Sequence, residues 1–216
     1  MRQLILFGAG GYCKDVVSIV RDVGQHELMA VVDAEAFDRG ARYICHIPIV
    51  RDETTLPLFD MGLDILVSIG SPRGRSMQTD AIYDLFTGER EPPWATLIHP
   101  SATIGVDVDV KKGCIIAAGA RVMSDAIIHP FCVLNLNAVV GHDAELGTFC
   151  TLGPSCNALG GVTLGDYVDV GTGAAILPRV KVATGTIIGA NAVVTKDITE
   201  SYMTWVGVPA RMGGPA

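Results

Sequence analysis

An apolar residue recurs at every sixth position from Ile104 to Val194, and this period constrains the fold more than any other feature of the chain. The residue two places earlier is nearly always small and apolar, and glycine often follows one place later. Helices repeat every 3.6 residues and strands every two, so neither explains a period of six. The pattern predicts a parallel β-solenoid, in which each short strand turns one aliphatic and one small side chain inward and a glycine-tolerant corner follows. With three strands to a coil, residues eighteen apart stack on one another.

The chain before the solenoid alternates short apolar runs with apolar residues at helical spacing. Strands are predicted at residues 3–7, 28–32 and 64–69, and helices at residues 12–23 and 75–86. Such alternation is typical of a small parallel α/β domain. We therefore expect two domains, residues 1–95 and residues 96–216, with the junction near Glu91 to Trp94.

Glycines and polar residues follow the three predicted strands, at Gly8 to Tyr12, at Asp33, and at Gly70 with Ser71. Because ligands bind outside the carboxyl ends of parallel strands, these sites should lie together. The glycine turn lets backbone N–H groups approach an anionic or polar ligand, and Asp33 would bond a ribose or sugar hydroxyl. Alternatively, the glycines only make a tight turn, and Asp33 caps a helix or faces water. Cys13 stands where a dinucleotide motif has its third glycine, so the match to such a motif is weak.

The solenoid carries one histidine suited to proton transfer, His142, which follows an inward valine by two places and should point outward from a corner. Stacking by eighteen places Gly160 above it and Ser124 below it, so the next coil presents no side chain to cover the imidazole and a ligand has room. Either Asp143 or the stacked Asp125 would hold one ring nitrogen and leave the other as a base. The alternative is an exposed corner histidine beside a carboxylate.

The other residues that could act as catalytic groups or metal ligands give weaker indications of function. His99 precedes a proline at a strand end and is interpreted as structural, while His129 shows no comparable partner or open neighbour. No spacing of histidine, cysteine and aspartate is typical of a metal site.

Charge and cysteine usage exclude several classes of partner. The net charge is −7 and the isoelectric point is about 5.1, which argues against a nucleic-acid-binding surface, and no basic amphipathic segment suggests a membrane surface. The start of the chain does not have the pattern of a signal peptide. Four of the six cysteines fall at small inward positions, where a thiol packs as a small apolar group: Cys114, Cys132, Cys150 and Cys156. We therefore expect a reduced, cytoplasmic protein.

Several motifs in order along the chain resemble one known family. They are Phe7-Gly8-Ala9-Gly10-Gly11 with Lys14-Asp15-Val16-Val17, Val32-Asp33, Ile69-Gly70-Ser71 with Arg75, Ile98-His99-Pro100-Ser101-Ala102, Asn135, His142-Asp143 and Gly207-Val208-Pro209-Ala210. The chain resembles the bacterial nucleotide-amino-sugar N-acetyltransferases and the related sialic acid O-acetyltransferases. The resemblance implies a Rossmann-like N-terminal domain followed by a left-handed parallel β-helix. It also implies a homotrimer that binds acetyl-CoA between neighbouring β-helices.

The resemblance assigns roles to individual residues. It makes His142 the general base that takes a proton from the sugar amine, and Asp143 the group that raises its basicity. Residues at positions that contact the nucleotide sugar are Gly10, Gly11, Tyr12, Asp33, Gly70 and Asn135. Residues at positions around acetyl-CoA are Thr151, Gly160, Thr172 and Ala190, with the Gly160 N–H as oxyanion donor.

Two residues depart from the family pattern. Thr151 stands where many members have a second histidine beside the acetyl group; its hydroxyl can donate a hydrogen bond but cannot titrate. Tyr12 also replaces a frequent histidine, in the N-terminal turn. Contacts to the substrates should therefore differ from those of the familiar members.

The function expected from sequence is an acetyl-CoA-dependent N-acetyltransferase. Its acceptor would be a UDP- or GDP-linked 4-amino-4,6-dideoxy sugar, attacked directly without an acyl-enzyme, in surface glycan or O-antigen synthesis. A sialic acid type O-acetyltransferase and a non-catalytic solenoid that binds a nucleotide sugar remain as alternatives. An NAD-dependent oxidoreductase is suggested only by the glycine turn, and no hydride-transfer site is visible.

Overall fold

The computed structural model describes residues 1–52, 63–86 and 91–216, which form two compact units. The N-terminal unit comprises residues 1–70 and 74–97, and the solenoid unit comprises residues 71–73 and 98–216. Among the described helices, none has the length and apolar character needed to cross a membrane.

The N-terminal unit is built on a five-stranded sheet in the order β3-β4-β2-β1-β5, parallel except for the β3-β4 hairpin. Leu4, Ile5, Leu6 and Phe7 in β1 are all buried, because this central strand is covered on both faces. The elements along this part of the chain are β1 (Arg2–Phe7), α1 (Gly11–Val23), β2 (His26–Val32), α2 (Ala34–Asp38), β3 (Tyr43–Ile44), β4 (Ile47–Val50), β5 (Asp64–Val67) and α3 (Pro72–Leu85). The Rossmann-like alternation predicted from sequence is confirmed.

Apart from two longer strands at the C-terminal end, the last of which is antiparallel, the solenoid unit consists of two-residue strands that pair in parallel on three faces, and the chain visits the faces in rotation. Strands on one face pair in a register of eighteen residues, as Val122 does with Val140. Face 1 contains β6 (Leu97–Ile98), β9 (Ile115–Ile116), β12 (Val133–Leu134), β15 (Thr151–Leu152), β18 (Asp169–Val170), β21 (Ile187–Ile188), β23 (Met203–Val206) and β24 (Arg211–Pro215). Face 2 contains β7 (Thr103–Ile104), β10 (Arg121–Val122), β13 (Val139–Val140), β16 (Asn157–Ala158), β19 (Ala175–Ile176) and β22 (Val193–Val194). Face 3 contains β8 (Asp109–Val110), β11 (Ile127–Ile128), β14 (Glu145–Leu146), β17 (Thr163–Leu164) and β20 (Lys181–Val182).

The sixfold aliphatic positions form the solenoid core, as predicted. From Ile116 to Val194 every one of them is buried, and only Ile104 and Val110 in the first coil stay partly exposed. The small positions beside them are buried too, and the Cys132 thiol donates to the Gly147 carbonyl at 3.0 Å. The cysteine side chain therefore packs as a small apolar group in the solenoid core, and its S–H donates to a backbone carbonyl of the next coil.

The corners differ from the sequence interpretation in one respect. The left-handed backbone conformation falls three residues after each inward aliphatic residue, at every sixth residue from Asp107 to Asn191, with φ between 55° and 72°. The glycine one place after the aliphatic residue has another purpose, because a Cβ on Gly141 would lie 2.4 Å from the Gly160 nitrogen. Glycine is needed there for the close approach of two coils and not for the sense of the turn.

Aromatic rings stack along the edge between faces 3 and 1. Phe149 lies between Phe131 and Tyr167, with ring centroids 5.0 and 5.4 Å away and nearly parallel planes. All three residues occupy the left-handed corner position. Successive rings are therefore one coil apart and form a stacked column on the outside of the solenoid.

The C-terminal segment closes the last coil, as expected. Ile198 bridges to Val182, β23 pairs with β21, and β24 returns antiparallel to β23. Trp205 packs against the end of the core, so the final strand edges are covered.

Candidate active site

His142 lies on the edge between faces 2 and 3, which we call the histidine edge, formed by residues 105–108, 123–126, 141–144, 159–162, 177–180 and 195–198. Its Nδ1 is 2.6 Å from Oδ2 of Asp143, and the side chain is 71% exposed. An ionised carboxylate only accepts, so Nδ1 of the neutral ring carries the proton and Nε2 keeps its lone pair. The pair therefore presents a base at the surface of the edge.

The ring rests against the next coil. A Cβ built on Gly160 would lie 2.6 Å from Nε2 and 2.8 Å from Cε1 of His142. The predicted space above His142 is thus filled by the imidazole itself, and only glycine at position 160 allows this placement. In the described backbone hydrogen bonding the Gly160 N–H donates to no carbonyl, whereas the Gly161 N–H donates to the His142 carbonyl at 2.8 Å. Among the described residues, the Gly160 N–H and His142 Nε2 therefore have no hydrogen-bond partner, and they lie on adjacent coils.

Asp143 is the partner of the ring, and the alternative Asp125 is not. Asp143 adopts the left-handed corner conformation with φ 57°, and its N–H donates to the Ser124 carbonyl at 3.1 Å. This backbone anchor to the preceding coil fixes the carboxylate beside its neighbour in sequence.

The residues assigned to the acetyl donor and the sugar lie elsewhere on the solenoid. Asn135, Thr172 and Ala190 follow strands of face 1, on what we call the asparagine edge, formed by residues 117–120, 135–138, 153–156, 171–174 and 189–192. Thr151 begins β15 on face 1 and is 7% exposed. The full width of face 2 separates this edge from His142. One chain therefore brings Gly160 to His142 but does not bring the other four residues there.

In the N-terminal unit, Asp33 connects the first turn to the following helix. Its Oδ2 accepts the Ala9 N–H at 2.7 Å and its Oδ1 accepts the Ala36 N–H at 2.8 Å, so it caps α2 and clamps the glycine turn. The capping role that the sequence left open is thus present. The glycine turn and the end of β2 lie together, as predicted.

The start of α1 offers backbone donors. Gly10 caps the helix without a side chain, and a Cβ on Gly10 or Gly11 would meet nothing within 4 Å. The first N–H groups of a helix of this length attract anions.

Tyr12 lies against the end of the third strand. Its Cβ and Cγ atoms are 3.6 Å from where a Cβ on Gly70 would be, which brings the third predicted strand end to the same place. The Tyr12 hydroxyl is buried and has no hydrogen-bond partner among the described residues, and burial raises its pKa well above the usual range.

Arg75 is a residue to which the sequence assigned no role. It is fully buried, and its guanidinium donates to the Ile69 and Gly70 carbonyls at 2.8 Å. A buried arginine that holds a strand end fixes the loop next to Tyr12.

The expectation that His129 lacks a partner is wrong. Its Nε2 is 2.9 Å from Oε1 of Glu145, and the contact spans sixteen residues. Stacking by eighteen does not reveal it, because Glu145 sits on the neighbouring coil at a different hexad position. His99 accepts a hydrogen bond from the Ser101 N–H at 3.0 Å, which fits a structural role. Over residues 1–52, 63–86 and 91–216, no three histidine, cysteine or acidic side chains form a group suited to a metal ion.

Comparisons with known proteins connect both units to one family. Residues 3–82 match the family described as the PglD N-terminal domain. A mutant of perosamine N-acetyltransferase from Caulobacter crescentus, solved with CoA and GDP-perosamine, is 32% identical; the alignment covers 99% of this chain and 98% of that one, with a TM-score of 0.89. The acetyltransferase domain of PglB from Neisseria gonorrhoeae, solved with acetyl coenzyme A, is 28% identical over 98% of both chains, with a TM-score of 0.86. WeeI from Acinetobacter baumannii shares the fold at 21% identity, over 98% of this chain and all of that one, with a TM-score of 0.86. A comparison with curated protein sequences gave no match.

The hexapeptide solenoid with a carboxylate-paired histidine on its edge is the architecture of an acyltransferase. The chain belongs to the family of bacterial nucleotide-amino-sugar N-acetyltransferases and related sugar O-acetyltransferases, which use CoA thioesters as donors. Its β-helix is accordingly left-handed.

Proposed function

We propose that this enzyme transfers the acetyl group of acetyl-CoA to the amine of a nucleotide-linked 4-amino-4,6-dideoxy sugar, with His142 as general base. The observation that carries the proposal is the 2.6 Å contact between His142 Nδ1 and Asp143, which leaves Nε2 against Gly160, whose N–H donates to no carbonyl in the described part of the chain. A base and an oxyanion donor are the two groups that acyl transfer to an amine needs.

In the proposed reaction the amine nitrogen attacks the thioester carbonyl carbon and a C–N bond forms. His142 Nε2 takes the proton that the nitrogen loses, and the Gly160 N–H stabilises the oxyanion of the tetrahedral intermediate. The C–S bond then breaks, and the proton held by His142 passes to the departing thiolate. The products are the N-acetyl sugar and CoA, and no covalent acyl-enzyme is required.

The acceptor is proposed to bind through residues 1–95, and acyl transfer is assigned to residues 96–216. The start of α1 at Gly10 and Gly11 suits the phosphates of a nucleotide sugar, with Tyr12, Asp33 and Gly70 around it. GDP-perosamine, bound by the Caulobacter enzyme, is such an amino sugar. Two of the Caulobacter structures carry a single histidine replaced by asparagine or alanine and still hold CoA and GDP-perosamine.

A homotrimer would complete the site. His142 and Gly160 occupy one edge, whereas Asn135, Thr172 and Ala190 occupy another edge of the same chain. A cyclic assembly that sets the histidine edge of one subunit against the asparagine edge of the next brings them together. Acetyl-CoA would then lie between subunits, with Thr151 as a further hydrogen-bond donor on the donor side.

Both substrates are activated metabolites of the cytoplasm, so we place the enzyme there, in the synthesis of a surface glycan such as O-antigen. The amine is the acceptor in this proposal because the Caulobacter relative is a perosamine N-acetyltransferase. A sugar hydroxyl acceptor is the alternative that the experiment must separate.

The experiment follows CoA release from acetyl-CoA with a thiol reagent across UDP- and GDP-linked 4-amino sugars and free sialic acid. Cys13 and Cys156 interfere little, because burial raises the pKa of Cys13 to about 11 and that of Cys156 to about 12, and a matched reaction without acceptor corrects for the other thiols. Turnover with one nucleotide amino sugar supports the proposal. Turnover with sialic acid alone would replace it by O-acetylation, and no turnover with any acceptor would contradict it.

A further inference from the structure

The peptide group between Gly8 and Ala9 is held at both ends by side chains. Its C=O accepts a hydrogen bond from the Ser68 hydroxyl at 2.7 Å, and its N–H donates to Oδ2 of Asp33 at 2.7 Å. Ser68 follows β5 and Asp33 follows β2, and these two strands pair with opposite sides of β1. Because the C=O and N–H of a trans peptide point in opposite directions, the two side chains together fix the plane of this peptide.

The Ser68 hydroxyl lies in a closely packed contact between the ends of β1 and β5. Ser68 is 1% exposed, its N–H donates to the Phe7 carbonyl at 2.8 Å, and its hydroxyl is 3.1 Å from the same carbonyl. A Cβ on Gly8 would lie 2.6 Å from Cγ1 of Ile69, so the turn has little space in which to shift toward β5. A buried carbonyl held by a hydroxyl in such a contact keeps one orientation.

Three backbone donors follow this peptide. Gly10 is the N-cap of α1, and Gly11 and Tyr12 are its first two residues. In the part of the chain that the structure describes, the N–H groups of these three residues form no hydrogen bond. The first N–H groups of a helix have no carbonyl partner within it and suit an anion. Their direction depends on the orientation of the peptide before them, because neither Gly10 nor Gly11 has a side chain to hold it.

We propose that Ser68 is a positioning residue for the nucleotide sugar: with Asp33 it fixes the Gly8–Ala9 peptide and so orients the three free N–H groups toward the diphosphate. This rests on the proposed function, because it takes the start of α1 to bind the phosphates of the acceptor. Donors that are ordered before the ligand arrives lose less conformational entropy on binding, which raises the affinity. Ser68 therefore acts on acceptor binding, through the turn, and not on the chemical step.

The test compares wild type, Ser68→Ala and Thr79→Val. Thr79 is 1% exposed and its hydroxyl donates to the Arg75 carbonyl at 2.8 Å, so Thr79→Val also removes one buried hydroxyl-to-carbonyl hydrogen bond from the N-terminal unit. Calorimetry measures the affinity for GDP and UDP, and steady-state kinetics measures KM and kcat with the nucleotide amino sugar that releases CoA.

We expect Ser68→Ala to weaken binding of the nucleoside diphosphate, and to raise KM for the nucleotide amino sugar, by about three- to tenfold, the net contribution of one hydrogen bond. Its kcat and its KM for acetyl-CoA should stay within about twofold of wild type. Thr79→Val should change each of these quantities by less than about twofold. In an Asp33→Asn background the effect of Ser68→Ala should shrink to less than about twofold, because the shared peptide is already released.

Equal acceptor KM values in Ser68→Ala and Thr79→Val would overturn the proposal. So would a loss confined to kcat or to the KM for acetyl-CoA, and so would an effect of Ser68→Ala that is unchanged in the Asp33→Asn background. A wild type that binds neither GDP, UDP nor any nucleotide amino sugar would instead overturn the acceptor site of the proposed function, which separates the two failures.

Discussion

At the scale of single residues, Asp143 matters because it selects the tautomer of His142. Asp143→Asn should lower kcat by up to about 10²-fold, since an amide holds the ring less firmly and can also hold it in the wrong tautomer. Asp125→Asn is the matched control, because Asp125 occupies the same corner one coil earlier and, among the described residues, forms no hydrogen bond with the ring. Steady-state rates of the two variants decide the matter. Equal losses of kcat would mean that the negative electrostatic field of the carboxylates on the histidine edge, and not the hydrogen bond to Asp143, makes His142 an effective base.

Gly160 is required for the placement of the imidazole. In Gly160→Ala the new methyl would lie 2.6 Å from Nε2, so the exposed ring must swing away. A displacement of about 1 Å can cost about 10²-fold in rate, and we expect a loss of kcat of that order with little change in melting temperature. Gly213→Ala is the control, because a Cβ there makes only an ordinary contact at 3.4 Å. An active Gly160→Ala variant would show that the ring position is not critical.

At the scale of elements, the aromatic column on the edge between faces 3 and 1 contributes to stability from outside the core. Phe149 is 7% exposed and stacks on both sides. Phe149→Ala should lower the free energy of unfolding by about 3 kcal/mol, the low end for loss of a buried phenylalanine. Ile127→Ala, at a side chain 37% exposed, should cost about 0.5 kcal/mol. Urea denaturation measures both, and similar losses would mean that the stack adds nothing.

The period of six predicted the strands and the core because burial selects the same chemistry at every inward position. It could not show the left-handed corner, since that position holds residues as different as Asp143, Phe149 and Arg179. Backbone geometry imposes that conformation whatever the side chain. Asp33 shows a similar limit, because a carboxylate after a strand suits both a helix cap and a ligand, and only its hydrogen bond from the Ala36 N–H shows that it caps.

Contacts between neighbouring coils that join different positions of the six-residue repeat could not be predicted from the sequence either. His129 and Glu145 meet across sixteen residues, so an eighteen-residue register does not place them together. The His142 pair was predictable because its partner is the next residue in the chain.

At the scale of the whole molecule, the separation of the two edges predicts complementation between inactive subunits. His142→Ala removes the base on one edge, and Thr172→Trp would block the proposed donor path on the other. In random mixtures of the proposed trimer about one quarter of the sites combine two intact edges, so co-expression should restore about one quarter of wild-type activity.

The control for complementation pairs two variants of the same edge. His142→Ala mixed with Gly160→Ala should recover no activity, because every site then contains a damaged histidine edge. Purified mixed trimers with differently tagged subunits provide the material. No recovery in the His142 and Thr172 mixture would contradict a site shared between subunits.

The central claim is that His142 is the base for acetyl transfer, and the most direct measurement is the kcat of His142→Ala beside that of His129→Ala. Both histidines face a carboxylate, but only His142 adjoins Gly160. We expect His142→Ala to lose about 10²- to 10⁴-fold in kcat while CoA affinity stays within about twofold, and His129→Ala to keep the wild-type rate. A His142→Ala enzyme that acetylates the amino sugar at the wild-type rate would contradict the account.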